Sequence, residues 1–294
     1  MRFERFLISL FVAAAACGRP AAKTPPAGVP RDDFGAPIAV GARPARIVSL
    51  NPTTTEILFA IGAGPRLVGR SRWDTFPPAA THVPALGDAL RPNVEAVLAA
   101  KPDLVVLYAS ADDRSAADRL RRAGIPTVSF KIDSIAQFAR DTRLLGRIVG
   151  DSLAADRVVD TVMATLARVR RATASLPHPT VMVHAWDKPV IVLGGGSFMS
   201  ELLDIAGARN AYADKSAPSL TVTLEDVVQR NPDYILAGAD EAARLRASAE
   251  WHAVPAVRAG HILVYDMDLV SRPSVELGAA AVSLAGLIHP GAVR

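Results

Sequence analysis

The amino-acid sequence predicts an α/β protein made of two lobes that are joined by one long helix. Three observations support this prediction. Short apolar strands alternate with helices from residue 46 to 130 and again after residue 179, a pattern typical of mainly parallel sheets. The stretch 134–176 between them has helical periodicity and no strand pattern. A sequence repeat with an offset of 130 residues relates the two outer regions.

The composition is that of a globular protein. Of the 294 residues, 50% are hydrophobic and 21% are charged, which is enough to bury a core without disulfides or metals. The 33 basic and 29 acidic residues are mixed along the chain, so the net charge of +4 forms no basic run of the kind that contacts nucleic acid. The single cysteine, Cys17, excludes an internal disulfide and a cysteine-based zinc site.

The N-terminus has the pattern of a secretory signal peptide over residues 1–16. A basic start precedes an apolar run of 11 residues, Phe6 to Ala16, which is too short to span a bilayer as a helix. Small residues directly before Cys17 resemble the lipobox of bacterial lipoproteins, which implies lipidation of Cys17 and a membrane anchor in the cell envelope. The alternative is an ordinary secretory signal followed by an incidental cysteine. Residues 17–43 are rich in Pro, Gly and Ala and predict a flexible tether.

The predicted N-terminal lobe covers residues 44–150. It begins with a strand at 47–50, and Thr53 and Glu56 have the spacing of a capping box that opens the first helix. Further apolar runs and helical segments follow in alternation. They predict strands at 67–69, 104–107 and 127–130, and helices at 93–100 and ending at 123.

The predicted connecting helix covers residues 151–176. Asp151 can cap it, and apolar residues recur at Val158, Val162, Leu166 and Val169, the stripe of a buried helix face. The helix is expected to run to about Ser175, and its roughly 24 residues span about 36 Å. The α/β pattern then resumes in a C-terminal lobe over 177–294. Its predicted strands are 181–185, 190–193, 234–237 and 262–264.

The repeat carries the most specific motifs. Asn93-Val94-Glu95 leads to Lys101-Pro102-Asp103, and Thr223-Leu224-Glu225 leads to Asn231-Pro232-Asp233. Together with Arg46-Ile47-Val48-Ser49-Leu50-Asn51-Pro52, these motifs resemble the periplasmic solute-binding proteins of the helical-backbone class, class III. The resemblance covers residues 44 to 290 and is strongest to the vitamin B12-binding proteins. Other members of the class serve ABC importers of haem and iron siderophores.

The resemblance implies a fold and a set of partners. Two α/β lobes are bridged by one rigid helix, and a small-molecule ligand binds in the cleft between them. The protein is then a monomer that passes its ligand to an ABC permease dimer with its ATPase. No cofactor and no catalysis are expected, and the transported ligand is cobalamin or another tetrapyrrole or iron chelate.

The resemblance also assigns roles to individual residues. In the family, one glutamate on each lobe docks onto arginines of the permease, and Glu95 and Glu225 match these positions. Without the resemblance, both would be carboxylates that offset a helix dipole. Five residues near strand ends are expected to contact the ligand: Trp73, Tyr108, Trp186, Asp268 and Arg272.

Some features depart from a B12 binder, and other functions stay open. The loop 87–92 has no tryptophan, and Ser219 stands where a second aromatic is expected. A binder of haem or a ferric siderophore is therefore the main alternative. A zinc or manganese receptor using His82 and His184 is less favoured because no ligand spacing is present, so no metal site is predicted. An envelope enzyme lacks a recognisable catalytic motif, and a ligand-free structural lipoprotein would not need the aromatics at the cleft.

Overall fold

The computed structural model describes residues 28–293. The predicted signal peptide, Cys17 and the first part of the predicted tether lie outside the described residues. The described residues form two α/β lobes joined by a long helix, as predicted.

The N lobe has a four-stranded parallel sheet in the order β2-β1-β3-β4. Its central strands are buried and apolar on both faces, as expected when helices cover a parallel sheet. All four predicted strands are present. The strands are β1 (Ile47–Ser49), β2 (Leu67–Arg70), β3 (Leu104–Tyr108) and β4 (Thr127–Phe130), and the helices are α1 (Pro52–Ala60), α2 (Val94–Ala99), α3 (Asp113–Arg122) and α4 (Ile135–Val149).

The predicted capping box at the start of α1 is wrong. The N-cap is Asn51, whose side chain accepts from the backbone N–H of Thr53, and Pro52 occupies the first helical position. Asn is a strong N-cap, and Pro is preorganised for the first turn, so the helix begins two residues earlier. Glu56 therefore lies inside the helix, where it is buried.

The described end of the predicted tether is packed on the N lobe. Asp32 is buried, accepts from the backbone N–H of Ser129 at 3.0 Å, and pairs with Arg121 at 2.5 Å. Ile38 is buried in the core of the lobe. The expectation of a flexible segment up to residue 43 does not hold for residues 32–38, because the carboxylates of Asp32 and Asp33 and the side chain of Ile38 hold this segment on the lobe.

The connecting helix is α5 (Ser152–Thr173), of 22 residues, or about 33 Å. Asp151 caps it as predicted, accepting from the backbone N–H of Ala154. Three residues of the predicted stripe, Val162, Leu166 and Val169, are buried. The helix packs against α4 on the N-lobe side and against the last helix of the C lobe, so one apolar core runs through both lobes.

The C lobe has a mixed sheet in the order β10-β9-β5-β6-β8, with a short strand, β7, that also pairs with β5. Its four predicted strands are present, and β7 and β8 were not predicted. The strands are β5 (Thr180–Trp186), β6 (Ile191–Leu193), β7 (Arg209–Asn210), β8 (Ser219–Thr221), β9 (Tyr234–Ala237) and β10 (Ile262–Val264). The helices are α6 (Phe198–Ile205), α7 (Leu224–Arg230), α8 (Ala239–Ala247), α9 (Pro255–Arg258), α10 (Met267–Val270) and α11 (Leu277–Ile288).

The sequence repeat is also a repeat of structure. The parallel order β2-β1-β3-β4 of the N lobe recurs in the C lobe as β7-β5-β9-β10. Asp103 accepts from the backbone N–H groups of Ala45 and Arg46, both at 2.8 Å, and Asp233 accepts from that of Thr180 at 2.7 Å. Each Asp thus ties the start of one central strand to the next. The antiparallel strands β6 and β8 are an addition to the C lobe.

Candidate functional site: the cleft between the lobes

A cavity of about 540 Å³ lies between the two lobes. It opens at the carboxyl ends of parallel strands, where α/β proteins commonly bind ligands. Tyr108 ends β3 on one side, and Tyr265 follows β10 on the other. Most of the wall is apolar. The apolar residues that line it include Pro52, Leu90, Ile132, Leu193, Phe198, Met199, Pro218, Met267 and Val270.

Tyr108, which is predicted to contact the ligand, is a wall residue of the N lobe. Its hydroxyl donates to Oδ1 of Asp133 at 2.6 Å. Burial and the hydrogen bond to Asp133 raise the pKa of the Tyr108 phenol, so it stays neutral near pH 7. Asp133 is itself 3.6 Å from the ammonium of Lys131. The ring is therefore held in one orientation against the cavity.

Arg272 is a wall residue of the C lobe, and its partner is unexpected. Its Nε and Nη2 atoms lie 2.5 Å from Oε1 of Glu56, and Nη1 donates to Ser271 at 2.9 Å. The side chain of Glu56 is only 1% exposed. Burial raises the pKa of Glu56, and the charge of Arg272 opposes that rise. Because Glu56 belongs to α1, this ion pair connects the two lobes beside the cavity.

Asp268 is predicted to contact the ligand together with Arg272, but of the two only Arg272 lines the cavity. Asp268 is exposed, and its backbone N–H donates to the side chain of Asp266, which caps α10. Asp268 does not line the cavity. A four-residue separation places the two side chains on the same stretch of chain, but α10 ends between them and Arg272 turns towards the N lobe.

Trp73 lies beside the cavity wall. Its ring is 55% exposed, and the guanidinium carbon of Arg72 is 4.9 Å from its centroid. Arg72 pairs with Asp88, which in turn accepts from the backbone N–H of Leu90. Leu90 is part of the wall, whereas Trp73 is not. The loop that carries Trp73 is held by the fully buried Asp74, whose carboxylate accepts from the backbone N–H of Ser71.

Trp186 lies at a second cavity, of about 550 Å³, in the C lobe. Its indole N–H donates to the carbonyl of Lys188 at 3.1 Å, and Glu241 and Arg244 line the same cavity. Trp186 does not line the cavity between the lobes. The cavity between the lobes therefore gives no support to the predicted contact of Trp186 with the ligand.

Several wall residues were missed by the sequence analysis, among them Phe198 at the start of α6. The preceding run, Gly194 to Gly196, packs on the carbonyls of residues 213–217. A Cβ at Gly195 would lie 2.3 Å from the carbonyl oxygen of Ala213. Gly195 and Gly196 form a tight turn between β6 and α6. Ser197 then caps α6 and brings Phe198 to the cleft, a placement that a strand-Gly-helix junction could have suggested.

Glu95 and Glu225 lie outside the cavity, each exposed in the first turn of a short helix. Their helices are capped by Asn93 and Thr223. Backbone N–H groups at the helix start lower the pKa of both carboxyls. Glu95 pairs with Arg119 at 2.6 Å. Within residues 28–293, no basic side chain pairs with Glu225.

The histidines do not form a metal site. His184 is buried without a hydrogen-bond partner for either ring nitrogen, and His82 is exposed. In the described part of the chain, no three His, Cys, Asp or Glu side chains are grouped so that they could hold a metal ion. Across residues 28–293, no helix has the length and apolarity needed to cross a membrane.

Comparisons with known proteins find relatives that match most of the chain. The uncharacterized ABC transporter substrate-binding lipoprotein YvrC of Bacillus subtilis is 29% identical over 97% of this chain and 95% of its own. A vitamin B12-binding protein of Vibrio cholerae is 25% identical over 78% of this chain and 83% of its own.

Solved structures show the same architecture. The periplasmic vitamin B12-binding protein BtuF of Vibrio cholerae has a TM-score of 0.74 at 24% identity, covering 84% of this chain and 97% of that one. The periplasmic haem-binding protein RhuT of Roseiflexus sp. RS-1 has a TM-score of 0.75 at 25% identity, covering 84% and 98%.

The family model described as periplasmic binding protein matches residues 47–269, which include the N lobe from β1 onwards, the connecting helix and the C lobe as far as α10. The chain belongs to the periplasmic binding protein family, as a class III member with the role of solute-binding component of an ABC transporter.

Proposed function

We propose that this protein captures a corrinoid, vitamin B12 or a close analogue, in the cavity between its lobes and delivers it to an ABC permease. The observation that carries the proposal is the cavity itself, which lies at the strand ends of both lobes and has a mostly apolar wall. Large apolar walls with a few placed polar groups are typical of small-molecule sites. Several curated relatives of similar length are named vitamin B12-binding proteins.

The polar groups of the wall suit a ligand with an apolar face and a polar edge. Tyr108 and Phe198 offer flat surfaces for a macrocycle. Arg272, Ser219 and Asn51 offer hydrogen-bonding groups for its periphery. The loop 87–92, which contributes Leu90 to the wall, and Ser219 stand where the B12 binders are expected to carry aromatic rings, so part of the stacking surface is replaced by smaller side chains.

Haem or a ferric siderophore is the second candidate. Tyr108 and Met267 both line the cavity, and Met267 is 51% exposed. A phenolate oxygen and a thioether are both known axial ligands of haem iron. Tyr108 is, however, engaged with Asp133, and a metal would have to compete for that oxygen. This competition is why we place haem second.

The test is equilibrium dialysis and absorbance after gel filtration with cobalamin, haem and a ferric siderophore. Stoichiometric retention of the cobalamin spectrum, with weaker retention of the others, is expected. Phe198→Ser should reduce that retention because it removes a wall ring, and Leu153→Ser, which changes an exposed residue of the connecting helix, serves as the control. Retention of haem alone would transfer the proposal to the second candidate. Turnover of a ligand would instead indicate an enzyme.

We further propose that the mature protein is a monomer that is lipidated at Cys17 and held at the extracytoplasmic side of a membrane. The name of YvrC as a lipoprotein supports this. Cys17→Ser should move the protein from the membrane fraction to the soluble envelope fraction. An unmodified Cys17 in a mature chain that is cleaved elsewhere would contradict the anchor.

A further inference from the structure

The ion pair beside the cavity joins a fully buried carboxylate to a guanidinium at the cavity surface. Glu56 belongs to the N lobe and Arg272 to the C lobe, and their exposed side-chain fractions are 1% and 23%. Arg272 has five N–H donors. Two of its nitrogens contact Glu56 and a third donates to Ser271. The positive charge that Arg272 presents to the cavity is thus neutralised by the carboxylate of Glu56.

The cavity carries little net charge as a result. Of the described residues that line it, Asp133 and Arg272 carry formal charges. Arg272 is paired with Glu56, and Asp133 lies 3.6 Å from the ammonium of Lys131. A cavity with one unpaired arginine would attract carboxylates. This cavity has no such charge among its described wall residues.

We infer that Glu56 determines the charge selectivity of the cleft: by neutralising Arg272 from the opposite lobe, it favours ligands with amide edges over ligands of the same shape with carboxylate edges. The inference rests on the proposed function in taking the cavity as the ligand site. It goes further by naming the chemistry of the ligand edge, and it makes Glu56 a positioning residue that acts through Arg272.

A carboxylate on the ligand cannot simply take over Arg272. Glu56 is held in α1 with almost no access to water, and it would be left as an unpaired buried charge, which is a costly arrangement. A ligand carboxylate that approached the pair without displacing it would also meet the negative charge of Glu56. An amide oxygen avoids both costs, because it can accept from the N–H donors of Arg272 that remain.

The experiment compares two ligands of one shape. Cobalamin carries peripheral amides, and its monocarboxylic derivative carries a carboxylate in place of one of them. The ratio of their Kd values is measured by isothermal titration for the wild type, Glu56→Gln, Arg272→Gln and the double variant. Glu276→Gln is the control, because it removes a nearby carboxylate that forms no ion pair with Arg272 in the described chain.

The expected ratios follow the charge of the pair. Glu56→Gln should improve the affinity for the carboxylate ligand relative to the amide ligand by about tenfold, equivalent to about 1.4 kcal/mol. Arg272→Gln should shift the ratio the other way. The double variant should return to the wild-type ratio, even if both affinities fall. Glu276→Gln should stay within about twofold of the wild type because Glu276 forms no ion pair with Arg272 in the described chain.

An unchanged ratio in all variants would overturn the inference and leave the ion pair as a structural contact. If Glu56→Gln does not fold, as judged by circular dichroism, the Kd ratio of Arg272→Gln is compared with that of the double variant, because these two proteins also differ only at Glu56. Failure of the wild type to bind either corrinoid would instead contradict the proposed function. The ratio is then measured with haem and its dimethyl ester, and the same dependence on charge is expected.

Discussion

The two lobes share one arrangement of parallel strands but differ in the side chains and additional strands attached to it. Both have a four-stranded parallel core in the same order, and in both an Asp at matched positions ties one strand to the start of the next. Yet Glu95 of the N lobe is paired with Arg119, whereas Glu225 of the C lobe has no such partner in the described chain. Strands β6 and β8, which supply part of the cavity wall, occur in the C lobe. The repeat thus preserves the parallel sheet, while the cavity wall and the pairing of the two glutamates differ between the lobes.

The largest expected effect concerns the two glutamates as permease contacts. The double variant Glu95→Ala/Glu225→Ala should lower ligand uptake by at least about tenfold, because bidentate Arg–carboxylate contacts are specific and charges at an interface rim govern encounter. Ligand affinity should not change, since neither glutamate lines the cavity. Uptake by cells and ligand binding by the purified protein are measured in parallel, with the exposed Glu250→Ala as control.

The single variants sharpen the difference between the lobes. Glu225→Ala should impair uptake more than Glu95→Ala, because Glu95 already shares its charge with Arg119. Arg119→Ala should then increase the contribution of Glu95 and reduce the difference. Normal uptake by the double variant would mean that both glutamates serve only to offset their helix dipoles.

The second prediction tests the shared scaffold. Asp103→Ala and Asp233→Ala should each lower the free energy of unfolding by about 1 kcal/mol, because each leaves hydrogen bonds at the start of a central strand unmade. The two losses should be similar, as measured by urea denaturation. A clear loss in one lobe alone would contradict the equivalence of the two Asp residues.

The pH dependence of Asp233 gives a further check on that scaffold. Hydrogen bonds from the backbone and hydroxyl of Thr180 lower the pKa of Asp233 below its ordinary value of 3.8. Its contribution to stability is therefore present above pH 3.8 and is lost as the pH falls through the lower folded value. Asp233→Asn should flatten the fall in stability below pH 4. An equally steep fall in the variant would assign acid sensitivity to other carboxyls.

The third prediction compares two exposed tryptophans at strand ends, one in each lobe. Trp73→Ala should weaken ligand affinity by about threefold, since its ring stands beside the wall and buries only part of its surface on a ligand. Trp186→Ala should leave affinity unchanged, since it borders another cavity. Fluorescence quenching on ligand binding distinguishes the two. Equal effects would place both rings in one site.

The sequence predicted the scaffold better than the site. The connecting helix, its Asp151 cap and the parallel strands follow from local periodicity and capping. The Glu56–Arg272 pair joins residues 216 positions apart, and no local pattern relates them. The capping-box interpretation of Glu56 failed because Pro52 moved the helix start. The strand β8 was missed because its three residues are polar or half-buried, and only pairing with β6 makes them a strand.

The smallest expected effect is the movement of the lobes on ligand binding. The lobes share one apolar core that runs through α5, and the Glu56–Arg272 pair links them at the cavity as well. Both connections resist rotation about a hinge, in contrast to lobes that are joined by flexible strands. The scattering radius of the protein should therefore change little between the free and the ligand-bound state.

Small-angle scattering of the wild type and of Glu56→Gln/Arg272→Gln shows whether the shared core or the ion pair holds the lobes in place. If α5 and the core hold the lobes, both proteins should show the same small change on binding, because the core is intact in each. If the ion pair is the main restraint, only the double variant should contract. A large contraction of the wild type would show that the lobes move as independent bodies, and the cavity described between them would then be one of several states.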